Sequence, residues 1–333
     1  MLRSRIEACG MYLLVVLSWS LGILMLLNLY SFGQTCQQKV INDWYFQSMT
    51  EMAGEKLYPD VIIIENDVLQ VLSVPNRGRL LFDIIHKITG NSQLASNRTP
   101  LPLKFRGVYT FEFGGVYSTF PWHKRDNTPL PLETGEPTDH EMCVRLMWVV
   151  DPETSIKMIA ALELSPTDPE VTLNIDLYNP LDRDQVIDIG LVVAARPGGK
   201  GSSDLEVRIP TSTARIGDNE GGWMGEKGTE TPWPMPWSRW GNFIYPGAFY
   251  FDVSKAETPE IVVYNPVSKE SLHIKWEFED PWTTCEIFSW GPNYSKVMGA
   301  YDGFRIELKA EGLSILANNV QRLKITFRVG YQW

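Results

Sequence analysis

Histidine and cysteine are scarce: the chain has four of each in 333 residues. No CxxC pair and no HExxH segment occurs, so the ligand spacings of a structural or catalytic metal are missing and no metal site is expected. No cofactor is expected either. Basic residues are in deficit, with 30 Lys and Arg against 40 Asp and Glu, a formal net charge of −10. No Lys/Arg-rich run offsets this. Nucleic acid is excluded as a partner, because phosphate binding needs a basic surface. Repeats of fixed period, low-complexity tracts and long amphipathic helices beyond the first 33 residues are absent too, which excludes solenoids and helix bundles.

What is present begins at the N-terminus. Arg3 and Arg5 precede MYLLVVLSWSLGILMLLNLYSF, residues 11–32, which carries no charge. Such a run is long enough to cross a bilayer as a helix, with its basic side in the cytoplasm and the remainder exported. Ser31-Phe32-Gly33 offers small residues for signal cleavage; the length of the run favours an anchor over a cleaved signal. The expected organisation is a cytoplasmic stub and transmembrane or signal helix over 1–33, a linker or short helix over 34–59, and one β domain over 60–333. The domain is then placed outside the cell membrane, or secreted if the segment is cut. Cys9 falls on the cytoplasmic side and Cys36 just past the membrane. Cys143 and Cys285 remain as the pair for a disulfide in the folded body, although no spacing proves it.

From Asp60 onward short apolar runs alternate with turn signals. VTLNIDLYNP, 171–180, alternates with Val171, Leu173, Ile175 and Leu177 on one face. CVRLMWVV, SIKMIAALEL and VIDIGLVVAA behave likewise, separated by Asp-Pro, Pro-Thr-Asp-Pro and Asn-Pro turns. This describes an all-β sandwich or barrel. Residues 196–242 are rich in Gly, Pro and Trp and read as a long loop inserted in the β body. One further stretch raises a question of its own. In FEFGGVYSTFPWH, 111–123, a glycine pair interrupts a run of strand-forming aromatics, where the backbone must turn or something must approach closely.

Five motifs in order resemble the galactose mutarotase-like superfamily, and within it bacterial mutarotase-like domains. They are Pro75 with Gly78-Arg79, Gly114-Gly115 through His123, Asn179, Trp290-Gly291, and Glu307, spread over about 60–330. The resemblance implies a large antiparallel β-supersandwich with a sugar-sized groove across one sheet. A fold alone does not assign activity, since this one also hosts non-catalytic binders and accessory domains.

Mutarotation opens and recloses an aldose ring. A base takes the C1 hydroxyl proton while an acid protonates the ring oxygen, and a carboxylate and an imidazole on opposite sides of the sugar meet that need. By resemblance Glu307 takes the base position and His123 the acid or orienting position, with His140 the next candidate for the acid. If the chain is an enzyme, it is expected to be an aldose 1-epimerase-like isomerase. The alternative is a non-catalytic carbohydrate-binding or envelope assembly module. Arg79 offers a planar fork of donors for a sugar hydroxyl or carboxylate, and equally for an ion pair. Trp122 and Trp290 belong to the motifs. In WPMPWSRWGNFIYP, 233–246, Trp237 and Trp240 offer faces for sugar rings, with Arg239 and Asn242 as donors. The same tryptophans serve equally well as a cover over the sheet. His86 and His273 read as ordinary strand histidines. The expected partner is a carbohydrate or glycan.

Overall fold

The computed structural model describes residues 36–47, 56–57, 59–97, 102–105, 108–111, 113–123, 128–135, 143–277, 279–298 and 302–331. The apolar run at 11–32 and His140 lie outside them. Among the described residues, no helix is long and apolar enough to cross a membrane.

The described chain is nearly all β, in two large antiparallel sheets. The twelve-stranded sheet runs Gln37–Ile41, Val61–Glu65, Leu69–Val74, Arg79–His86, Val116–Ser118, Gln185–Ala195, Phe304–Ile315, Thr284–Ser289, Gly247–Asp252, Thr213–Asn219 and Glu230–Pro232. Asn91–Ser92 pairs off this path, beside 79–86. The eight-stranded sheet runs Glu133–Thr134, Val144–Val150, Lys157–Leu164, Glu170–Tyr178, Val320–Tyr331, Glu270–Trp276, Glu260–Asn265 and Glu206–Arg208.

Period-2 alternation makes both sheets amphipathic. Leu173, Ile175, Leu177, Ile325 and Phe327 of the smaller sheet join Ile306, Leu308, Ile287 and Val193 of the larger one in a single core. The even positions of the 304–315 strand, Phe304, Ile306, Leu308 and Ala310, are in that core. Arg305, Glu307 and Lys309 therefore stand on the opposite, outer face of the twelve-stranded sheet.

Three expectations need correction. The described residues of the 34–59 segment, expected as a linker or short helix, include strands: Gln37–Ile41 is an edge strand paired with Val61–Glu65, and Phe46–Gln47 pairs with Lys56–Leu57. The disulfide joins Cys36 to Cys143, and Cys285 is free and buried. Burial pushes the Cys285 thiol well above its ordinary pKa, which keeps it protonated and inert. The 196–242 region is not one long loop. It contributes Glu206–Arg208 to one sheet and Thr213–Asn219 and Glu230–Pro232 to the other. Apolar residues at 205, 207, 209, 214 and 216 of that region are core, but the proline and glycine density hides their alternation.

Glu270 ties the two sheets together. It is fully buried at the start of its strand in the smaller sheet. It accepts hydrogen bonds from Thr89 Oγ1 (2.6 Å), Asn91 Nδ2 (2.7 Å) and Gln93 Nε2 (3.2 Å), with His86 Nδ1 at 3.3 Å. A buried carboxylate is tolerated when its lone pairs are satisfied in this way.

Candidate functional site

Among the described residues, an interlocked cluster of charge on the outer face of the large sheet is centred on Glu307. Strand pairing sets Glu307 opposite Glu286 on one side and Val192 on the other. Glu286 faces Tyr250, and Tyr250 faces Arg215. On the far side Val192 faces Tyr117. Because side chains of directly paired residues point to one face, these positions form a row crossing the strands.

Two carboxylates and two cations interlock at its centre. Arg305 Nη2 donates to Glu307 Oε2 at 2.9 Å, and Lys309 Nζ lies 3.6 Å from the same oxygen. Lys309 Nζ donates to Glu286 Oε2 at 2.7 Å, and Arg305 Nη1 is 3.7 Å from Glu286 Oε1. The strand spacing explains the geometry: the cations at i and i+4 of one strand flank the carboxylate at i+2, and the neighbouring strand supplies the second acid. Burial opposes the charge of Lys309, but Glu307 and Glu286 outweigh it and hold the ammonium above its ordinary pKa. Burial first, and then the charge of Glu286, push the Tyr250 phenol up to about 12. Its ring also lies 5.7 Å from Lys309 Nζ.

Glu307 is 8% exposed, and a glycine makes room for it. A Cβ at Gly190 would fall 2.7 Å from Glu307 Oε1 and 2.9 Å from Thr119 Oγ1. Thr119 Oγ1 in turn accepts from the Gly190 amide at 2.7 Å. The free carboxylate oxygen thus rests over a bare stretch of backbone beside a hydroxyl. Gly190→Ala is expected to displace the Glu307 carboxylate and cost about 1–3 kcal/mol, the usual penalty for overpacking a filled site. Chemical denaturation checks this; a change under about 0.5 kcal/mol, the size of an ordinary surface substitution, would show that the carboxylate has other room.

Aromatic groups border the row. Ala194, Phe288 and Ala248, the row adjacent to it, pack with Trp290, Ala95 and Tyr294 on this outer face. Trp290 is 2% exposed and meets Phe288 edge-on at 5.1 Å. At the other end the Arg79 guanidinium lies 4.1 Å from the Tyr117 ring centroid, and Trp122 is 6.2 Å from the same ring. Tyr117 stands two strands from Glu307, about 10 Å at ordinary strand spacing. His123 follows Trp122 and pairs through its backbone with Thr128; its imidazole is outside the described atoms.

The structure therefore brings Glu307, Trp290, Arg79 and Trp122 to one face. The tryptophan-rich segment goes elsewhere. Trp233 packs edge-on against Phe251 at 4.8 Å, and Trp237 stacks on Phe249 at 5.6 Å. Trp240 is 6% exposed and joins the same core. Phe249 and Phe251 belong to the core face, so these tryptophans cover the interior and not the row of Glu307. Arg239 is exposed and bridges Glu206 through its backbone, and the Asn242 amide donates to the Pro236 carbonyl. His273 sits in the smaller sheet, 2.8 Å from Glu260 Oε1.

Arg305, Lys309, Glu286, Tyr250, Thr119 and Gly190 were not anticipated. Arg-x-Glu-x-Lys at 305–309 carried a readable signal, three charges on one strand face. Glu286 and Gly190 carried none, because only the pairing register makes them neighbours.

No protein-family model matches the sequence, and no curated protein does. Solved structures do match. A TPR-domain containing protein from Parabacteroides distasonis superposes with TM-score 0.65 at 12% identity; the match takes 84% of this chain and 48% of that one. This chain therefore spans about half of that protein's length. Slr1438 from Synechocystis sp. PCC 6803 gives TM-score 0.61 at 11% identity, over 82% and 96% of the two chains. A galactose mutarotase related enzyme from Lactobacillus acidophilus gives 0.54 at 10% identity, over 81% and 97%.

Proposed function

We propose that this chain, whose fold is that of the galactose mutarotase-like superfamily, is an exported carbohydrate-recognising protein, with the row around Glu307 as its sugar site. The observation that carries this is the interlocked Glu307, Arg305, Glu286 and Lys309 cluster on a sheet face bordered by Tyr117, Trp122 and Tyr250. Carboxylates and cations held in place by one another present fixed acceptors and donors to hydroxyls, and aromatic rings offer faces to the apolar side of a sugar.

Recognition is better supported than turnover. Glu307 Oε2 already accepts from Arg305, leaving Oε1, over Gly190, as the proton acceptor that a base would need. Of the histidines whose rings are described, His86 is engaged with Glu270 and His273 with Glu260. An epimerase would draw its acid from His123 or His140, with Glu307 as base. Export agrees with the basic residues ahead of the 11–32 run and with a disulfide, a bond that persists in oxidising compartments. We place the β body outside the cytoplasm, anchored through that run, or secreted if it is cleaved.

The test is NMR titration of the full chain with galactose, glucose, mannose and N-acetylglucosamine, alongside Glu307→Gln. The variant keeps the shape and loses the charge. Expected is saturable binding of at least one sugar, weakened about tenfold or more in Glu307→Gln, the size of a lost charge-assisted hydrogen bond. No binding by any sugar would sink the proposal. In the same samples, anomer exchange above background that disappears in the variant would assign catalysis; its absence leaves a binding module.

A further inference from the structure

The polar row does not stop at Tyr250. Tyr250 pairs with Arg215, and Arg215 with Glu230, which carries the row to the edge of the sheet. With about 4.8 Å between neighbouring strands, Glu230 stands about 19 Å from Glu307. An open groove of about 500 Å³ lies over this far half, lined among others by Tyr250, Arg215, Glu230, Thr213, Asp252 and Lys255. Tyr250 is the shared wall: it borders the groove on one side and meets Lys309 on the other.

The groove and the Glu307 cluster are too far apart for a single sugar ring to occupy both. The lining also has a definite chemistry. Arg215 and Lys255 donate, Glu230 and Asp252 accept, and the Lys255 ammonium is 2.6 Å from Asp252. Two cations balance two carboxylates, so the groove makes no demand for a charged ligand. Donors and acceptors alternating beside one aromatic face suit a polyhydroxylated chain, in which every hydroxyl both donates and accepts.

We infer that the site takes an uncharged glycan chain of several units lying across the strands, with one unit at Glu307 and later units in the groove beyond Tyr250. This rests on the carbohydrate reading above. Distal units add contacts without new chemistry at Glu307, so chain length raises affinity while the monosaccharide is bound as before.

Isothermal titration of the full chain decides it. The probes are galactose, glucose, mannose and N-acetylglucosamine, the β-1,4-linked oligomers of each up to the hexamer, and hexagalacturonate as the charged comparison. Expected is a gain of about tenfold or more from monomer to hexamer in at least one uncharged series, roughly 1.4 kcal/mol. Lys255→Ala and Glu230→Ala, both at exposed positions, should each remove most of that gain and leave monosaccharide affinity unchanged. Affinity independent of length, or a gain that survives both substitutions, would overturn the inference while leaving the sugar site intact. Tighter binding of hexagalacturonate than of every neutral hexamer would overturn the assignment to an uncharged chain. Failure of every probe at every length would instead remove the carbohydrate reading itself, and this inference with it.

Discussion

Gly114→Ala is expected to destabilise the protein by about 4 kcal/mol or more, at the extreme end of what single substitutions do. Two costs coincide at this position. Its φ of +71° is one that side chains with a Cβ adopt only at a penalty of about 1–2 kcal/mol. A Cβ there would also fall 1.8 Å from the Ala95 carbonyl oxygen and 2.7 Å from its carbon, and backbone cannot turn aside as a side-chain tip can. Ala95 is held in turn. Its amide donates to Ala194, the Gly115 amide donates to Ala95, and the Ala194 amide donates to Gly115. Any shift therefore spreads into the strand that carries Gly190 and Val192. Gly312→Ala supplies the control: φ is +64° with nothing within 4 Å of a built Cβ, so only the conformational penalty applies. Urea denaturation of the two variants separates the effects. Equal losses would mean that the close approach to Ala95 is not what requires glycine at 114.

Breaking the Cys36–Cys143 bond should cost about 2–5 kcal/mol, the range for native disulfides. The bond closes a loop of 107 residues in sequence separation, near the length for which loop-closure entropy predicts about 4.7 kcal/mol. It also fastens the entry to the edge strand Gln37–Ile41 of one sheet to the residue before Val144–Val150 of the other. Cys36→Ser with Cys143→Ser should unfold at lower denaturant than the parent, and reductant should lower the parent to the level of the variant while leaving the variant unmoved. Cys285 cannot substitute as a partner, being fully buried with its thiol held protonated. A parent indifferent to reductant would show that the bond contributes nothing.

How much of this was legible beforehand depended on how far apart the cooperating residues are. The alternation in VTLNIDLYNP announced a strand with one buried face, and Val171, Leu173, Ile175 and Leu177 are all fully buried. The glycine pair at 114–115 announced a close approach, and the Ala95 and Leu81 carbonyls are what approach. Pairing of Cys143 with Cys285 failed because proximity in the body of the sequence says nothing about which strands meet. Reading 196–242 as a loop failed for a related reason. Its tryptophans looked available because prolines surround them, yet Trp233 and Trp237 find their partners in Phe249 and Phe251, outside the segment, and Trp240 is buried in the same core.

The sequence by itself determined the class: strands of period 2, punctuated by turns and without long amphipathic helices among them, leave little but an all-β body. It also determined that Arg305, Glu307 and Lys309 share one side of a strand, because that follows from the geometry of a single extended segment. Only the tertiary structure decided that Glu286, Gly190 and Tyr250 gather around them. Those neighbours come from three other strands, and a slip of one residue in any pairing would turn the same side chains into the core.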